Sequence, residues 1–431
     1  MNLSLDAQSH TESYYADTIN RPLVVEQLCA EIDVDVCIIG GGFTGVSSAL
    51  HLAQRGYSVV LLEANKIGWG ASGRNGGQVG SDMRRDQDDL ENMLGLDKAR
   101  QMWGVAEAAR HKVKSLIDEF KIDCDYKNGV AHPNHRVRFD AASKHHVDKL
   151  NQQYGYEEIE YLDAVEMAEV TGSETYFGGT LDLGAAHLHP LNYLLGLAHA
   201  ARSKGALLFE HSKVITYEVN GVIKVRTQQG LVRANRLVLA CNGYLGNLES
   251  RLKGFIMPIN NFIIATEPLE EKLVKQINPR DVAIADSRFV INYYRLSADN
   301  RLLFGGGENY RTGFPSNITE FVRKPMLQVY PYLKDIRIDY AWGGTLAVTL
   351  NRMPHFGTLE NDRIVYAQGY SGHGVAIATL AGSLIAEKIS GSSEQFDLLA
   401  SAPTPRFPGG SLLRWPSMVM GMAYYALRDR F

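Results

Sequence analysis

Two glycine-rich stretches near the start of the chain carry the residue types from which a phosphate-binding site is built. The first, GGGFTG, contains the pattern GxGxxG as Gly40, Gly42 and Gly45. In this pattern one glycine permits a tight turn, the next lets a diphosphate approach the backbone, and the third lets a helix pack closely on a strand. The amides at the start of that helix then supply hydrogen-bond donors and a positive dipole to the phosphate.

The elements around this pattern agree with a dinucleotide-binding βαβ unit. The run VDVCII at residues 34–39 is almost wholly apolar, which is typical of a strand buried on both faces of a parallel sheet. A second strand at 58–62 leads directly into Glu63, where a carboxylate can accept hydrogen bonds from ribose hydroxyls. In this context an incidental glycine-rich turn is the weaker explanation.

The second stretch, GASGRNGGQ at residues 70–78, has no apolar side chain larger than alanine. It cannot contribute to a core, and its glycines disfavour a helix. A GxGxxG pattern alone does not separate FAD from NAD, but a second glycine loop so soon after the second strand favours FAD, because it would run beneath the extended cofactor towards its ring system. Backbone amides near Gly73, Gly76 and Gly77 could then reach the ring. A flexible surface loop is the alternative.

Composition excludes some classes of function. The 431 residues are 45% hydrophobic and carry a net charge of -4, so there is no electrostatic footprint of a nucleic-acid-binding protein. The four cysteines (Cys29, Cys37, Cys124 and Cys241) form no CxxC pair and suit a reducing compartment. Neither a secretory signal nor an apolar run long enough to span a membrane is recognised. We therefore expect a cytoplasmic protein.

The pattern of elements predicts an α/β protein with two domains. A Rossmann-like FAD-binding domain would comprise residues 30–95, 185–250 and 335–400. A substrate-binding domain built on an antiparallel sheet would comprise 96–184 and 251–334, because strand-like runs and turn residues alternate there. Residues 401–431 form a C-terminal tail, for which a helix docked on the core is favoured over contact with a membrane or a partner chain.

The chain resembles the D-amino-acid oxidase and sarcosine oxidase family of FAD-dependent amine oxidases and, within it, the branch of bacterial gamma-glutamylputrescine oxidases. The resemblance is carried by GASGRNGGQ together with GYSGHGV at 369–375. Further matching stretches are SYYA at 13–16, YYRLSADNRLLFGGG at 293–307, NRMPHFG at 351–357 and the ending FPGG…YYALRDR. Their order and spacing cover nearly the whole chain.

This resemblance implies a reaction and a set of cofactor contacts. An amine C–N bond would be oxidised to an imine with hydride transfer to FAD, and O2 would reoxidise the flavin to give H2O2, with gamma-glutamylputrescine or a related polyamine derivative as substrate. Relatives place the 372–375 turn near the pyrimidine end of the flavin and Val214 near the adenine. The predicted cofactor-binding residues are Gly40, Gly42, Phe43, Thr44, Gly45, Glu63, Ala64, Gly70, Ala71, Ser72, Arg74, Asn75, Gly76, Gly77, Gln78, Val214, Cys241, Asn242, Gly243, Gly344, Gly372, His373, Gly374 and Val375. Some relatives attach FAD covalently through a cysteine in the later part of the chain. Here no cysteine follows Cys241, so we expect FAD to be bound non-covalently.

The chain departs from many amino-acid oxidases of this family at a substrate-binding position. Those enzymes clamp the substrate carboxylate with an arginine shortly after a Trp-Gly turn, whereas Leu346 and Ala347 stand there in YAWGGTLAVTL. The missing guanidinium fork weakens the case for a simple α-amino acid. Arg295 and Arg352 are the candidates that remain.

The catalytic candidates are His373, Tyr294 and Arg295, and the group that accepts the amine proton stays open. Some of the aromatic residues Tyr293, Tyr294, Phe304 and Trp342 are expected to wall an aliphatic chain and the rest to be core. His187 and His189 lack a third ligand in a suggestive position, so no metal site is predicted. Two alternatives remain open: oxidation of a cyclic or N-alkyl amino acid such as pipecolate or sarcosine, and a flavin-binding subunit without turnover. A quinone would replace O2 as acceptor if the tail contacted a membrane.

Overall fold

A computed structural model describes residues 9–81, 83–308 and 313–410. Its strands are β1 (Glu31–Ile39), β2 (Val59–Leu62), β3 (Gln78–Val79), β4 (Lys127–Pro133), β5 (Ile159–Leu162), β6 (Gly179–His187), β7 (Leu207–Phe209), β8 (Thr216–Asn220), β9 (Val222–Arg226), β10 (Leu231–Leu239), β11 (Met257–Thr266), β12 (Ala283–Ala285), β13 (Tyr293–Leu296), β14 (Leu302–Glu308), β15 (Ile338–Val348), β16 (His355–Leu359) and β17 (Ile364–Gln368). Its helices are α1 (Tyr14–Asp17), α2 (Phe43–Gln54), α3 (Gln87–Leu94), α4 (Leu96–Phe120), α5 (Asp140–Tyr154), α6 (Ala164–Thr171), α7 (Pro190–Ser203), α8 (Glu271–Ile277), α9 (Ile318–Val329), α10 (Gly374–Ile389) and α11 (Glu394–Ala400).

The first sheet has the strand order β16-β17-β10-β1-β2-β7, with β9 pairing with β10 and β8 with β9. Strand β1 lies parallel to both β10 and β2, and β17 continues the parallel set beside β10. The second half of β1, from Val36 to Ile39, is buried, as the continuous apolar run predicts. The predicted α/β fold with a parallel, Rossmann-like sheet is confirmed.

Helices α2, α4, α7 and α10 share one large apolar core with this sheet. Val46 and Leu50 of α2, Ala381 of α10 and Leu194 of α7 are all buried in it. Helix α4, which falls in the predicted substrate-binding segment 96–184, packs against α10 and α7, and Met102 and its other buried residues belong to the same core. The physical reason is that α4 has an apolar face that must be buried, and α7 and α10 offer an apolar surface that covers it.

The second sheet has the order β15-β11-β14-β13-β12-β4-β6-β3, with β5 on β6. Its pairs are antiparallel except for β12 and β4. Strand β15 lies within the predicted FAD-binding segment 335–400, yet it pairs with β11 from Val348 to Ile338. A boundary at residue 335 therefore separates a strand from its own sheet, and the division into domains stays a prediction.

Most of the predicted C-terminal tail, residues 411–431, lies outside the described residues. Within the described ranges no single helix is long and apolar enough to cross a membrane, although α10 and α11, bent by 115° relative to each other, pass that test as a pair. All four cysteines are free thiols.

Candidate functional site

The turn between β1 and α2 is built around glycines that admit no side chain. Gly40 has φ +112°, and a Cβ there would lie 2.6 Å from the carbonyl oxygen of Ala240, which directly follows the neighbouring strand β10. A Cβ at Gly45 would overlap the carbonyl oxygen of Gly40. Gly42 caps α2 without a side-chain hydrogen bond to the first turn of the helix. The N-terminus of α2 is thus held close to the ends of β1 and β10.

A first cavity of about 400 Å³ lies at the carboxyl ends of these strands. Its wall includes residues 62–65, 213–216 and 240–242. Glu63 lies in this wall, and its carboxylate accepts hydrogen bonds from the amides of Gly41 at 2.7 Å and Asn65 at 2.9 Å. Burial raises the pKa of Glu63 above its ordinary value, and these two amides act against that rise. The predicted ribose-binding acid and Val214 therefore lie in the wall of one cavity.

A central cavity of about 230 Å³ adjoins the first, and both are lined by Gly42, Ala71, Ser72 and Asn242. Its wall brings together four stretches that are far apart in the chain: 42–44, the loop 71–78, part of β15, and the 370–375 turn. Because the two cavities share these lining residues, together they extend from the β2 end of the first sheet to the second sheet. Such a space suits an elongated ligand with a diphosphate at its middle.

The polar side chains of the 70–78 loop hold the loop itself. Asn75 donates to the carbonyls of Ala71 at 3.0 Å and Ser72 at 2.9 Å and accepts from the amide of Gly77 at 2.8 Å. Arg74 donates to the carbonyls of Trp69 at 2.6 Å and Gly343 at 3.0 Å.

Gln78 likewise donates to the carbonyl of Ile284 at 3.1 Å. These side chains, which the sequence predicts to contact the ligand, thus make hydrogen bonds within the loop and to the second sheet. Gly76 and Gly77 line the central cavity with backbone alone.

The 369–375 turn is bonded to the first turn of α2 and to the residues that follow β10. The amide of Gly369 donates to Oδ1 of Asn242 at 2.8 Å, and the hydroxyl of Tyr370 lies 2.6 Å from that of Thr44. Burial raises the pKa of Tyr370. His373 caps α10 and lines the central cavity beside Gly372. The N-termini of α2 and α10 therefore both border this cavity.

The central cavity opens into an outer cleft of about 810 Å³. The residues that line both spaces are Arg84, Ile259, Ala285, Phe289, Ile291, Val348, Arg352 and His373. Five of these eight are apolar, and we call the five (Ile259, Ala285, Phe289, Ile291 and Val348) the apolar passage. The cleft beyond is more polar, since His132, Asn134, Ser143 and several aspartates line it.

Most of the predicted cofactor-binding residues line one of the two inner cavities, and two of them, Gly45 and Gly243, do not. Gly45 is packed against Gly40. A Cβ at Gly243 would lie 3.5 Å from the carbonyl oxygen of Leu346 on β15. Gly45 therefore lets two stretches of backbone approach each other, whereas a Cβ at Gly243 would make only an ordinary van der Waals contact.

Of the three catalytic candidates, the structure brings only His373 to the cavities. Tyr294 is buried in a second apolar core, formed between the second sheet and α9. There its ring stacks on Phe304 at 5.0 Å and its hydroxyl donates to that of Tyr176 at 3.1 Å. The neighbouring Tyr293 lines the central cavity and donates to Oδ1 of Asn261 at 2.6 Å. Successive residues of a strand point to opposite faces of the sheet, so the central cavity is lined by Tyr293 and not by the predicted Tyr294.

Arg295, the third catalytic candidate, also lies in the protein interior. Its guanidinium is buried and donates to the carbonyls of Gly76 at 3.1 Å, Leu188 at 2.9 Å and Leu296 at 3.1 Å. It anchors the 70–78 loop and does not line the cavities. Arg352, the other candidate, lines both the central cavity and the outer cleft.

The two histidines of GAAHLHP are buried apart from the cavities. Nε2 of His187 lies 3.0 Å from the carbonyl of Asp281, and His189 caps α7 by accepting from the amide of Asn192 at 3.1 Å. Burial lowers the pKa of each to about 3. Within the part of the chain that the structure describes, three or more His, Cys, Asp or Glu side chains nowhere come together as a metal site.

Several residues at the mouth of the site were not predicted. Arg84 lies in MRRDQDD, which has the composition of a solvated charged run, and Phe289 and Ile291 lie in the loop between β12 and β13. No local pattern marks these positions. They become neighbours only because β12, β11 and β15 belong to one sheet.

The fold and this site define a nucleotide-dependent redox protein, and comparison with known proteins specifies the class. The family model described as FAD dependent oxidoreductase (DAO) matches residues 35–388, and the chain belongs to that family. It is 42% identical over 428 residues to gamma-glutamylputrescine oxidoreductase of Escherichia coli (strain K12), covering 98% of this chain and 99% of the relative.

Solved structures agree in fold. Glycine oxidase from Geobacillus kaustophilus superimposes with a TM-score of 0.74 at 20% identity, covering 86% of this chain and 99% of that one. L-proline dehydrogenase from P. horikoshii gives a TM-score of 0.70 at 20% identity, covering 86% and 96%.

The protein is thus an FAD-dependent oxidoreductase, and the residues present fit FAD. A Cβ at Gly42 would lie 2.9 Å from Oγ of Ser72, and one at Gly76 would lie 2.8 Å from the ring of Tyr293. Both glycines line the central cavity, and Gly42 also lines the first, so a side chain at either position would crowd the cavity wall. The glycines therefore keep open a space whose walls are backbone, as close approach to a flat ring and a diphosphate requires.

Proposed function

We propose that this enzyme oxidises the terminal amine of gamma-glutamylputrescine or a related acylated polyamine, with O2 as electron acceptor. The observation that carries the proposal is the apolar passage between the central cavity and the outer cleft. A chain of methylene groups that joins an amine to a bulky polar group needs an apolar channel with a polar space at its far end. The similarity to the E. coli gamma-glutamylputrescine oxidoreductase supports the same substrate.

The cofactor contacts are part of this proposal. The glycine turn before α2 and the adjoining Ser72 would hold the diphosphate, and Glu63 would bind the ribose. The backbone at Gly76 and Gly77 and the 372–375 turn would border the flavin ring. Bound FAD would accept a hydride from the carbon next to the amine nitrogen and return its electrons to O2.

The overall reaction then balances as primary amine, O2 and water giving aldehyde, ammonia and H2O2, since the imine that is released takes up water. The amine must reach the ring as a neutral base, because its lone pair assists loss of the hydride. His373 lines the space where the passage meets the central cavity. We propose it as the side chain that orients the amine.

A second candidate keeps the fold and changes the substrate to an N-alkyl or cyclic amino acid. Arg84 and Arg352 border the central cavity, so a carboxylate on the oxidised carbon would also find a guanidinium nearby. Leu346 and Ala347 line the same cavity at the position where many relatives carry an arginine, which favours the polyamine derivative.

An amine panel separates these candidates. The purified holoenzyme is mixed anaerobically with gamma-glutamylputrescine, putrescine, sarcosine or pipecolate, and the bleaching of the flavin absorbance is followed. We expect gamma-glutamylputrescine to reduce the flavin fastest and admission of air to yield one equivalent of H2O2. Faster reduction by sarcosine or pipecolate would replace the first candidate with the second.

Flavin that stays bleached in air and regains its colour only when a quinone is added would replace O2 as the acceptor. Cytoplasmic location belongs to the proposal as well, and the four free thiols favour a reducing compartment. Fractionation of cells that make the protein tests it.

A further inference from the structure

We infer that Arg84 and Arg352 bind a carboxylate at the end of the substrate opposite to the oxidised amine, so that the outer cleft selects amines with an anionic head group. The inference rests on the proposed function, because it assigns the far end of the same substrate. It names a pair of specificity-determining residues and the chemical class that they recognise.

Arg84 and Arg352 are far apart in the chain but line the same part of the site. Arg84 follows β3 and Arg352 lies in the turn between β15 and β16, yet both line the central cavity and the outer cleft. Both residues are half-buried. Arg352 also lies over the ring of Phe289, with 5.8 Å between its guanidinium carbon and the ring centroid. Two cationic side chains thus lie beside the apolar passage, where the central cavity meets the outer cleft.

Arg84 and Arg352 also share an unusual backbone conformation. Arg84 has φ +65° and Arg352 has φ +68°, in the left-handed region. For a residue with a Cβ this conformation costs on the order of 1 kcal/mol, and glycine or asparagine would relieve it. Asparagine or aspartate occupies most of the other non-glycine positions of this kind in the described ranges, among them Asn300 and Asn361. Arg84 and Arg352 are the two residues with positive φ among the eight that line both the central cavity and the outer cleft.

The wall of the outer cleft that contains Arg84 also contains the side chain of Ser81. Oγ of Ser81 is buried and has no hydrogen-bond partner among the described residues. Ser81 lines the outer cleft together with Arg84. A buried hydroxyl without a partner costs free energy, which a polar ligand in the cleft would recover.

These features favour one kind of head group. A carboxylate can accept parallel hydrogen bonds from a guanidinium fork, and such bonds are among the strongest that proteins form. Asp86 and Asp89 lie exposed at the rim of the cleft, so an ammonium group beside the carboxylate is not repelled. The cleft therefore suits an amino-acid head joined through a methylene chain to the amine that is oxidised.

The test compares two amines that differ in the head group. Gamma-glutamylputrescine carries the carboxylate and N-butanoylputrescine lacks it. For the holoenzyme and for R352Q and R84Q, the amine concentration that gives half-maximal anaerobic flavin reduction is measured. We expect each variant to raise this concentration about tenfold or more for gamma-glutamylputrescine and less than about twofold for N-butanoylputrescine.

R352K should be intermediate, because lysine keeps the charge and lacks the planar fork. R233Q is the matched control, since Arg233 pairs with Glu31 at the first sheet, outside the cavities, and it should change neither amine. Equal changes for both amines in R352Q and R84Q, or no change for gamma-glutamylputrescine, would overturn the inference.

A binding measurement separates this inference from the proposed function. N-butylglutaramic acid carries the carboxylate and no oxidisable amine, and N-butylpentanamide is its neutral counterpart. Calorimetry should show tighter binding of the acid to the wild-type holoenzyme and loss of that preference in R352Q. If no polyamine derivative reduces the flavin, the proposed function fails, and this preference still decides the inference. Equal binding of the two amides would refute it.

Discussion

Oγ of Ser72 accepts a hydrogen bond of 3.1 Å from the backbone amide of Phe43, and this bond joins the two glycine-rich turns that the sequence presents separately. Phe43 is the first residue of α2 and Ser72 lies in the 70–78 loop. The bond places the loop beside the N-terminus of the helix, where the first and central cavities meet. A single long ligand can therefore touch both turns.

Substitution of Gly42 should abolish retention of FAD. In G42V the new side chain would press on Oγ of Ser72, only 2.9 Å from a Cβ at this position, and would project into the space proposed for the diphosphate. The ratio of flavin to protein absorbance after purification should fall below about a tenth of the wild-type ratio, since loss of close backbone approach removes several hydrogen bonds to an anion.

G104A is the control for this experiment. Gly104 is exposed within α4, and no atom of the described residues lies within 4 Å of a Cβ built there. We expect normal flavin content and a free energy of unfolding higher by about 0.5–1 kcal/mol, because alanine is the better helix former. Normal yellow protein from G42V would contradict the assigned phosphate site.

The adjacent tyrosines should respond in opposite ways to loss of the hydroxyl. Y293F removes the donor to Asn261 at the central cavity, so kcat/KM should fall by up to about tenfold with little change in Tm. Y294F removes a hydrogen bond to Tyr176 inside the second core, so the free energy of unfolding should fall by about 1 kcal/mol with kcat/KM unchanged. Steady-state kinetics and thermal unfolding of both variants check this, and a kinetic defect confined to Y294F would reverse the assignment.

Replacement of Arg295 should affect folding. R295M removes the donor to three carbonyls, those of Gly76, Leu188 and Leu296, and we expect the free energy of unfolding to fall by about 3 kcal/mol or more. Urea unfolding measures it, with R233M on an exposed ion pair as the control that should change by less than about 1 kcal/mol. A well-folded R295M with a raised KM would instead identify Arg295 as a substrate clamp.

Stability should fall in acid through the buried histidines. Burial holds the pKa of His189 at about 3, below its ordinary value of 6.5, so the unfolded chain takes up the proton first as the pH falls. The stabilising contribution is therefore complete above pH 6.5 and is lost progressively towards pH 3, by at most about 1.4 kcal/mol per pH unit for one histidine.

H189N tests this dependence, because asparagine is also a good N-cap and does not titrate. The substitution also removes the ring contacts to Thr18 and Tyr15, so the slope of stability against pH, and not its absolute value, is compared. Urea unfolding at pH 7, 6 and 5 should give a shallower decline for H189N than for the wild type. Parallel declines would show that His189 is not kept neutral by the fold.

The sequence determined the nucleotide-binding half of this protein and its chemistry. The buried run at β1, the glycines at 40, 42 and 45, and the acid at 63 lie within about thirty residues, so each reports on its neighbours through local sterics and periodicity. The 70–78 loop and the 369–375 turn were also recognisable from their glycines, because glycine is needed wherever a backbone must closely approach another group.

Only the tertiary structure decided how the rest of the site is assembled. It turned Tyr293 towards the cavity and Tyr294 into the core, and it committed the side chains of Arg74, Asn75 and Gln78 to the loop itself and the second sheet. It also brought Arg84 and Arg352 to one passage. These outcomes depend on strand facing and on contacts between residues far apart in the chain, and neither is written in any local pattern of residues.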